Sequence, residues 1–231
     1  MLKTLDSAAP VACWSCSAAH DAAALFCPSC NRIQPPPSTE YFSVFGLQPR
    51  LNLDLTALEQ EFHRLSRKLH PDRFARATES EREWSLAGAA LLNDAYRTLK
   101  DPLQRTHYLL RLHGAEIGEE YSGKKDQRDP SRVPPDLLEE VFDLNMQLEE
   151  MRMAKKTGEA DPEVEADLAA AKKKFDGLLA DVDRDLRAEW QAWDEGDEAA
   201  RKAAQDDMVS LLDRRRYLSN LVREVNAVLE N

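Results

Sequence analysis

Asp54-Leu55-Thr56-Ala57-Leu58-Glu59-Gln60-Glu61-Phe62-His63-Arg64-Leu65-Ser66-Arg67-Lys68-Leu69-His70-Pro71-Asp72 is the stretch that decides the fold. Asp54 supplies an N-cap, and Leu55, Leu58, Phe62, Leu65 and Leu69 recur at steps of three and four, so one face of a helix is apolar. The opposite face carries His63, Arg64, Arg67 and Lys68. Pro71 ends the helix, because the residue before a proline is pushed out of the α region. The spacing then predicts a second helix opened by a Ser80–Glu83 capping box, with Trp84, Ala87, Leu91, Ala95 and Leu99 as its stripe. The two should pack antiparallel, with His70-Pro71-Asp72 exposed in the turn between them.

Flanking signals complete this module. Ser38-Thr39 is read as the cap of a short helix carrying Tyr41, Phe42 and Phe45 and ending at Gly46. Asp101-Pro102 gives an N-cap and N1 proline for a helix through Leu103, Tyr108 and Leu110 that stops at Gly114. Tyr41, Phe45, Trp84 and Tyr96 are read as core aromatics.

The four cysteines, Cys13, Cys16, Cys27 and Cys30, form two C-x-x-C pairs within eighteen residues. Paired knuckles at this distance bring four thiolates to the corners of a tetrahedron, which predicts one structural Zn²⁺ per chain in a closed site. An iron site of rubredoxin type is the rival. A lone redox C-x-x-C would not come as a pair, and disulfides would need an export signal, which is not visible. His20, between the knuckles, is read as a surface residue.

Beyond Gly114 the chain turns acidic: residues 39–113 sum to +1, whereas residues 114–231 sum to −12 of the overall −11. That balance speaks against nucleic-acid binding, which needs clustered positive charge. No apolar run reaches membrane-spanning length, so no membrane association is expected and the location is read as cytoplasmic. Three further helices are legible. Asp136 with Glu139 caps one with Leu137, Val141, Leu144, Leu148 and Met151 inward. Asp161-Pro162 opens another, with Val164, Leu168, Phe175, Leu179, Val182, Leu186 and Trp190 inward up to Gly196. Asp197 opens the last, with Met208, Leu211, Leu218, Val222, Val225 and Leu229 inward. These periods suit a three-helix bundle. The expected fold is therefore all-α: a tetracysteine segment (1–37), the hairpin module (38–114), a linker (115–135) and the bundle (136–231). Leu138, Phe142 and Met146, at i, i+4 and i+8, fall outside the first bundle helix's inward stripe and form an apolar ridge beside Glu139 and Asp143, a pattern of binding surfaces.

The set Tyr41-Phe42-Ser43-Val44-Phe45-Gly46-Leu47, His70-Pro71-Asp72-Arg73-Phe74, Asn93-Asp94-Ala95-Tyr96-Arg97-Thr98-Leu99 and Tyr108-Leu109-Leu110-Arg111-Leu112-His113-Gly114 resembles the J-domain of the HscB family, co-chaperones of iron–sulfur cluster assembly. The paired C-x-x-C extension is similar to animal-type mitochondrial members and some bacterial ones. The resemblance implies a non-enzymatic role: the tripeptide, with His63, Arg64, Arg67, Lys68 and Arg73, docks on a DnaK/HscA-type chaperone and stimulates its ATPase. It implies that the bundle binds the iron–sulfur scaffold protein through Leu138, Phe142, Asp143, Met146 and Tyr217. Where bacterial members have Arg-Glu-Glu-Leu, this chain has Asn145-Met146-Gln147-Leu148. A general J-protein for unfolded clients is the nearest alternative, but it would bring a Gly/Phe-rich linker and a β-rich client domain.

Overall fold

The computed structural model describes residues 10–37, 40–115, 117, 135–157 and 162–230. They divide between two compact units, Met1–Ala115 and Glu116–Asn231. The first begins with a two-stranded antiparallel ribbon, β1 (Val11–Ala12) and β2 (Ala19–His20), that carries the first cysteine pair. A single bridge, Phe26 to Ile33, closes around the second pair.

Helices follow. The first, α1 (Tyr41–Val44), starts from Glu40; Ser38 and Thr39, read as its cap, lie outside the described residues. Gly46 takes a left-handed φ of 64° just beyond it, which a glycine adopts without steric cost. The hairpin is α2 (Leu55–Leu69) and α3 (Glu79–Lys100), separated by a single 3-10 turn, Pro71–Phe74. Asp54 caps α2 as expected, accepting from the amides of Thr56 and Ala57. Leu58, Leu65 and Leu69 are buried, Phe62 is half-buried and Leu55 is exposed, so the stripe loses its first member at the N-terminal turn.

In α3 the cap is Thr78, not Ser80. Its hydroxyl accepts from the Glu81 amide while the Glu81 carboxylate returns to the Thr78 amide and hydroxyl. Both pairs fit the capping-box pattern, and the choice falls to Thr78 because Glu81 is itself buried and paired across the fold. The buried face correspondingly reads Ser85, Gly88, Leu92, Ala95 and Leu99; Ala87 is exposed, and Trp84 and Leu91 are half-buried. Phe62 stacks on Tyr96 at 4.1 Å and holds the hairpin midway. Helix α4 (Pro102–Leu112), capped by Asp101 at the Gln104 amide, ends at Gly114 with φ 80°. Its Tyr108 stacks on Tyr41 at 4.6 Å and accepts the Tyr41 amide hydrogen, which closes α1 onto α4.

The second unit is a bundle of α5 (Leu138–Thr157), α6 (Pro162–Glu195) and α7 (Glu198–Leu229). Its core holds Leu137, Val141, Leu144, Leu148, Met151, Val164, Leu168, Phe175, Val182, Leu218 and Val225, as the periodicity predicts, and adds Leu221 and Val228, whereas Leu179, Leu211, Val222 and Leu229, read as inward, are half-buried at its edge. Gly196 follows α6 and Asp197 caps α7 at the Ala200 amide, both as read from the sequence. Asp136 does something else: it sits in a 3-10 turn, Pro135–Leu137, and forks with Arg214 of α7 at 2.7 and 3.0 Å. The Asp161 cap and nearly all of the 115–135 linker lie outside the described residues.

Candidate functional site

The tip of the hairpin is built by local chemistry. His70 takes an extended ψ of 129°, as a residue before proline must, and this turns the chain out of α2. Its Nδ1 accepts from the Asp72 amide at 3.3 Å, and its carbonyl accepts from the Arg73 amide at 3.0 Å, so His70 caps the 3-10 turn that carries Pro71 and Asp72. Beneath it, the Ser85 hydroxyl of α3 donates to the Leu69 carbonyl at 2.6 Å, satisfying a buried acceptor at the end of α2. The tripeptide and Arg73 are exposed, and the Asp72 side chain is 89% exposed. A carboxylate held this far into solvent on a short proline-stiffened turn is an acceptor available to an incoming guanidinium.

Four cationic or protonatable side chains run down the exposed side of α2 from this tip. Glu59 lies 3.9 Å from His63, and Glu61 forks to Arg64. That pairing raises the Arg64 pKa and keeps its charge secure. Arg67 and Arg73 make no ion pair among the described residues. Lys68 turns instead toward the N-terminal knuckle, donating to Asn31 Oδ1 at 3.0 Å with its ammonium 5.3 Å from the Phe26 ring centre.

The tetracysteine site repeats one turn twice. In each knuckle the first cysteine's amide donates to the carbonyl five residues on (Cys13 to Ala18, Cys27 to Arg32), and its carbonyl accepts from the residue four on (Ser17, Asn31). Ser17 and Asn31, each just after the second cysteine, take left-handed φ values of 61° and 55°. No disulfide joins any of the four cysteines. Their sulfurs lie within 4.8 Å of one another, with Cys13–Cys30 at 3.7 Å and Cys16–Cys27 at 3.8 Å. A tetrahedral thiolate site with metal–sulfur bonds of about 2.3 Å has edges of about 3.8 Å, so these residues fit a metal ion. Burial works against a Cys13 thiolate, but the amides around it outweigh that and bring its pKa to about 6. The Ala18 amide favours a Cys16 thiolate, but the crowding thiols and burial push its pKa up to about 12. Four sulfurs this close resist sharing their negative charge without a cation.

Two residues around the site were not legible as site residues. Gln34 is buried and donates to Cys13 Sγ at 3.3 Å and to the carbonyls of Arg32 and Ile33. His20, expected on the surface, is buried: its Nδ1 lies 2.8 Å from the Asp21 carbonyl and its Nε2 lies 3.2 Å from Gln34 Oε1. The reason is long-range pairing with a glutamine fourteen residues away, for which spacing gives no signal.

On α5, Leu138, Phe142 and Met146 stand out at 50%, 65% and 59% exposed, with Asp143 exposed beside them. Met153, not singled out from the sequence, adds a fourth large apolar side chain at 59% exposure two turns further. Tyr217 is different: it is half-buried against the bundle core, which raises its phenol pKa. The Arg214–Asp136 pair places its stretch of α7 beside the start of α5.

An antiparallel hairpin presenting an exposed His-Pro-Asp turn, followed by a helical bundle, defines a J-domain co-chaperone. Relatives named HscB co-chaperones match along most of the chain: one from Mus musculus at 31% identity (92% of this chain, 80% of that protein), one from Vibrio cholerae at 34% (81% and 94%). The chain belongs to the HscB family of iron–sulfur cluster co-chaperones. The crystal structure of human HscB aligns with a TM-score of 0.61 at 27% identity, covering 94% of this chain and 97% of that one. HscB from Vibrio cholerae gives 0.55 at 28%, covering 83% and 98%. No protein-family model matches the chain. No helix among the described residues is long and apolar enough to cross a membrane.

Proposed function

We propose that this chain carries an iron–sulfur scaffold protein to a DnaK/HscA-type chaperone and stimulates that chaperone's ATPase, so that the cluster passes to acceptor proteins. The observation that carries this reading is the exposed Asp72 carboxylate at the end of a cationic helix face. In this account His70, Pro71 and Asp72 enter the chaperone, with Asp72 accepting from a partner arginine. Arg64, Arg67, Lys68, Arg73 and His63 steer the encounter toward an acidic surface, which makes the on-rate fall as salt rises. The tip performs no chemistry; it binds one conformational state of the partner better than another, and so shifts its equilibrium toward hydrolysis.

Docking belongs to segment 38–114 and scaffold binding to segment 136–231, joined by 115–135. The scaffold partner lies on Leu138, Phe142, Asp143 and Met146, with Tyr217 at the edge of the same end of the bundle. The ion in the knuckle (1–37) is zinc: four thiolates close its shell, leaving no position for water, so its role is structural. The workplace of the protein is the cytoplasm.

The test is a reconstitution with cluster-loaded scaffold, a DnaK-type chaperone, ATP and an apo acceptor. The chain should accelerate cluster transfer only when ATP is present, and Asp72→Asn should remove the acceleration. Equal transfer with and without the chain would refute the reading.

A further inference from the structure

We propose that the tetracysteine knuckle is a clamp on the docking tip, so that metal occupancy of the four thiols sets how firmly the hairpin presents His70-Pro71-Asp72. This deepens the chaperone-docking reading and rests on it. The knuckle does not stand apart from the hairpin; it grips both arms close to the turn. On α2, Asn31 and Phe26 hold Lys68, two residues before His70. On α3, Arg32 donates to Glu81 at 3.2 Å in the first helical turn. Trp14 meets Trp84 edge-on with centroids 5.8 Å apart. One turn deeper, Gly88 leaves room where Leu69 and Leu25 converge; a β-carbon there would lie 3.1 Å from Leu69 and 3.6 Å from Leu25.

Every gripping residue is within two positions of a cysteine: Trp14 follows Cys13, Leu25 and Phe26 precede Cys27, and Asn31 and Arg32 follow Cys30. Asn31 reaches Lys68 from a left-handed conformation that the knuckle turn imposes, its backbone N–H donating to the Cys27 carbonyl. Arg32 reaches Glu81 from the next residue, whose carbonyl is itself fixed by the Cys27 amide. The geometry of these side chains is therefore set by the fold of the knuckle, and a four-thiol knuckle this small folds around its ion. Glu81 is the sensitive end of the contact. It is only 5% exposed, and its carboxylate joins Arg32 to the Thr78 cap that starts α3. The hydrogen bond donated by the Thr78 backbone N–H is the main cause of its lowered pKa, with the Arg32 charge adding to it. Loss of the ion lets Arg32, Asn31 and Phe26 go together. It thereby frees both the last turn of α2 and the first turn of α3 around the tip.

The experiment is amide hydrogen exchange on the full chain, metal-loaded and chelator-stripped, for wild type, Arg32→Ala and Glu81→Gln. Glutamine still closes the capping box, so Glu81→Gln cuts the link to the knuckle without touching the knuckle or the cap. Stripping wild type should speed exchange in residues 69–84 by roughly tenfold, the factor for losing one or two ordinary hydrogen-bonded contacts, while α4 and α6 stay protected. Both variants should keep one ion per chain, exchange faster across 69–84 when loaded, and respond less to stripping. Unchanged exchange at 69–84 on stripping, equal loss of protection in α4, or variants identical to wild type would each overturn the clamp. Exchange requires no partner. If loaded wild type fails to stimulate any chaperone ATPase while the exchange pattern appears, the docking reading fails and the clamp stands.

Discussion

Phe142→Ala separates a binding ridge from a packing ridge. Phe142 is 65% exposed in the free chain. A phenylalanine side chain offers roughly 200 Å² in all, so about 130 Å² of it remains to be covered by a partner. At about 25 cal/mol per Å² that area is worth about 3 kcal/mol, or about a hundredfold in Kd. Ordering the interface takes back part of this, so the expected loss of scaffold affinity is roughly ten- to a hundredfold. The same substitution should change unfolding free energy by less than about 0.5 kcal/mol, as for other exposed positions. Leu144, two residues on and 1% exposed, is the control: Leu144→Ala should cost about 2–5 kcal/mol of stability by opening a cavity. Isothermal titration against the scaffold protein and urea denaturation of each variant give both numbers. A Phe142→Ala protein that binds as well as wild type but melts like Leu144→Ala would refute the reasoning.

Two further outcomes are expected. Metal analysis of freshly purified protein should return one zinc per chain, and chelation should expose four reactive thiols; iron or disulfides in their place would overturn the zinc assignment. The Arg214 hydrogen bonds hold the Asp136 pKa below its usual value, so this pair stabilises above the unfolded-state pKa and is lost as pH falls through the folded-state one. Because Asp136 is largely exposed, Asp136→Asn should cost under about 1 kcal/mol in urea denaturation at pH 7 and nothing measurable near pH 2; equal cost at both would contradict this.

Much of the fold is written in local punctuation. Asp54, Asp101-Pro102, Gly114, Gly196 and Asp197 each act within a turn of their own position, and each lies where the sequence indicates. The α5 stripe reads correctly because one core surrounds it. Several of the misreadings involve a distant partner. Ser80–Glu83 and Thr78–Glu81 are equivalent as strings, and Arg32, 49 residues away, favours Glu81 as the buried member. The α3 face shifts from Ala87 to Gly88 because Leu25 of the knuckle and Leu69 of α2 press there together. His20 is buried by Gln34. The exposed turn at the hairpin tip was legible because proline dictates its own neighbour's conformation, whereas the knuckle contacts behind it pair residues that no spacing encodes.

The most direct measurement is single-turnover ATP hydrolysis by a DnaK-type chaperone titrated with this chain. Wild type should raise the rate to a saturating plateau that needs more protein at higher salt. Asp72→Asn, with an unaltered melting curve, should leave the rate at its basal value. Stimulation by Asp72→Asn equal to that by wild type would contradict the account.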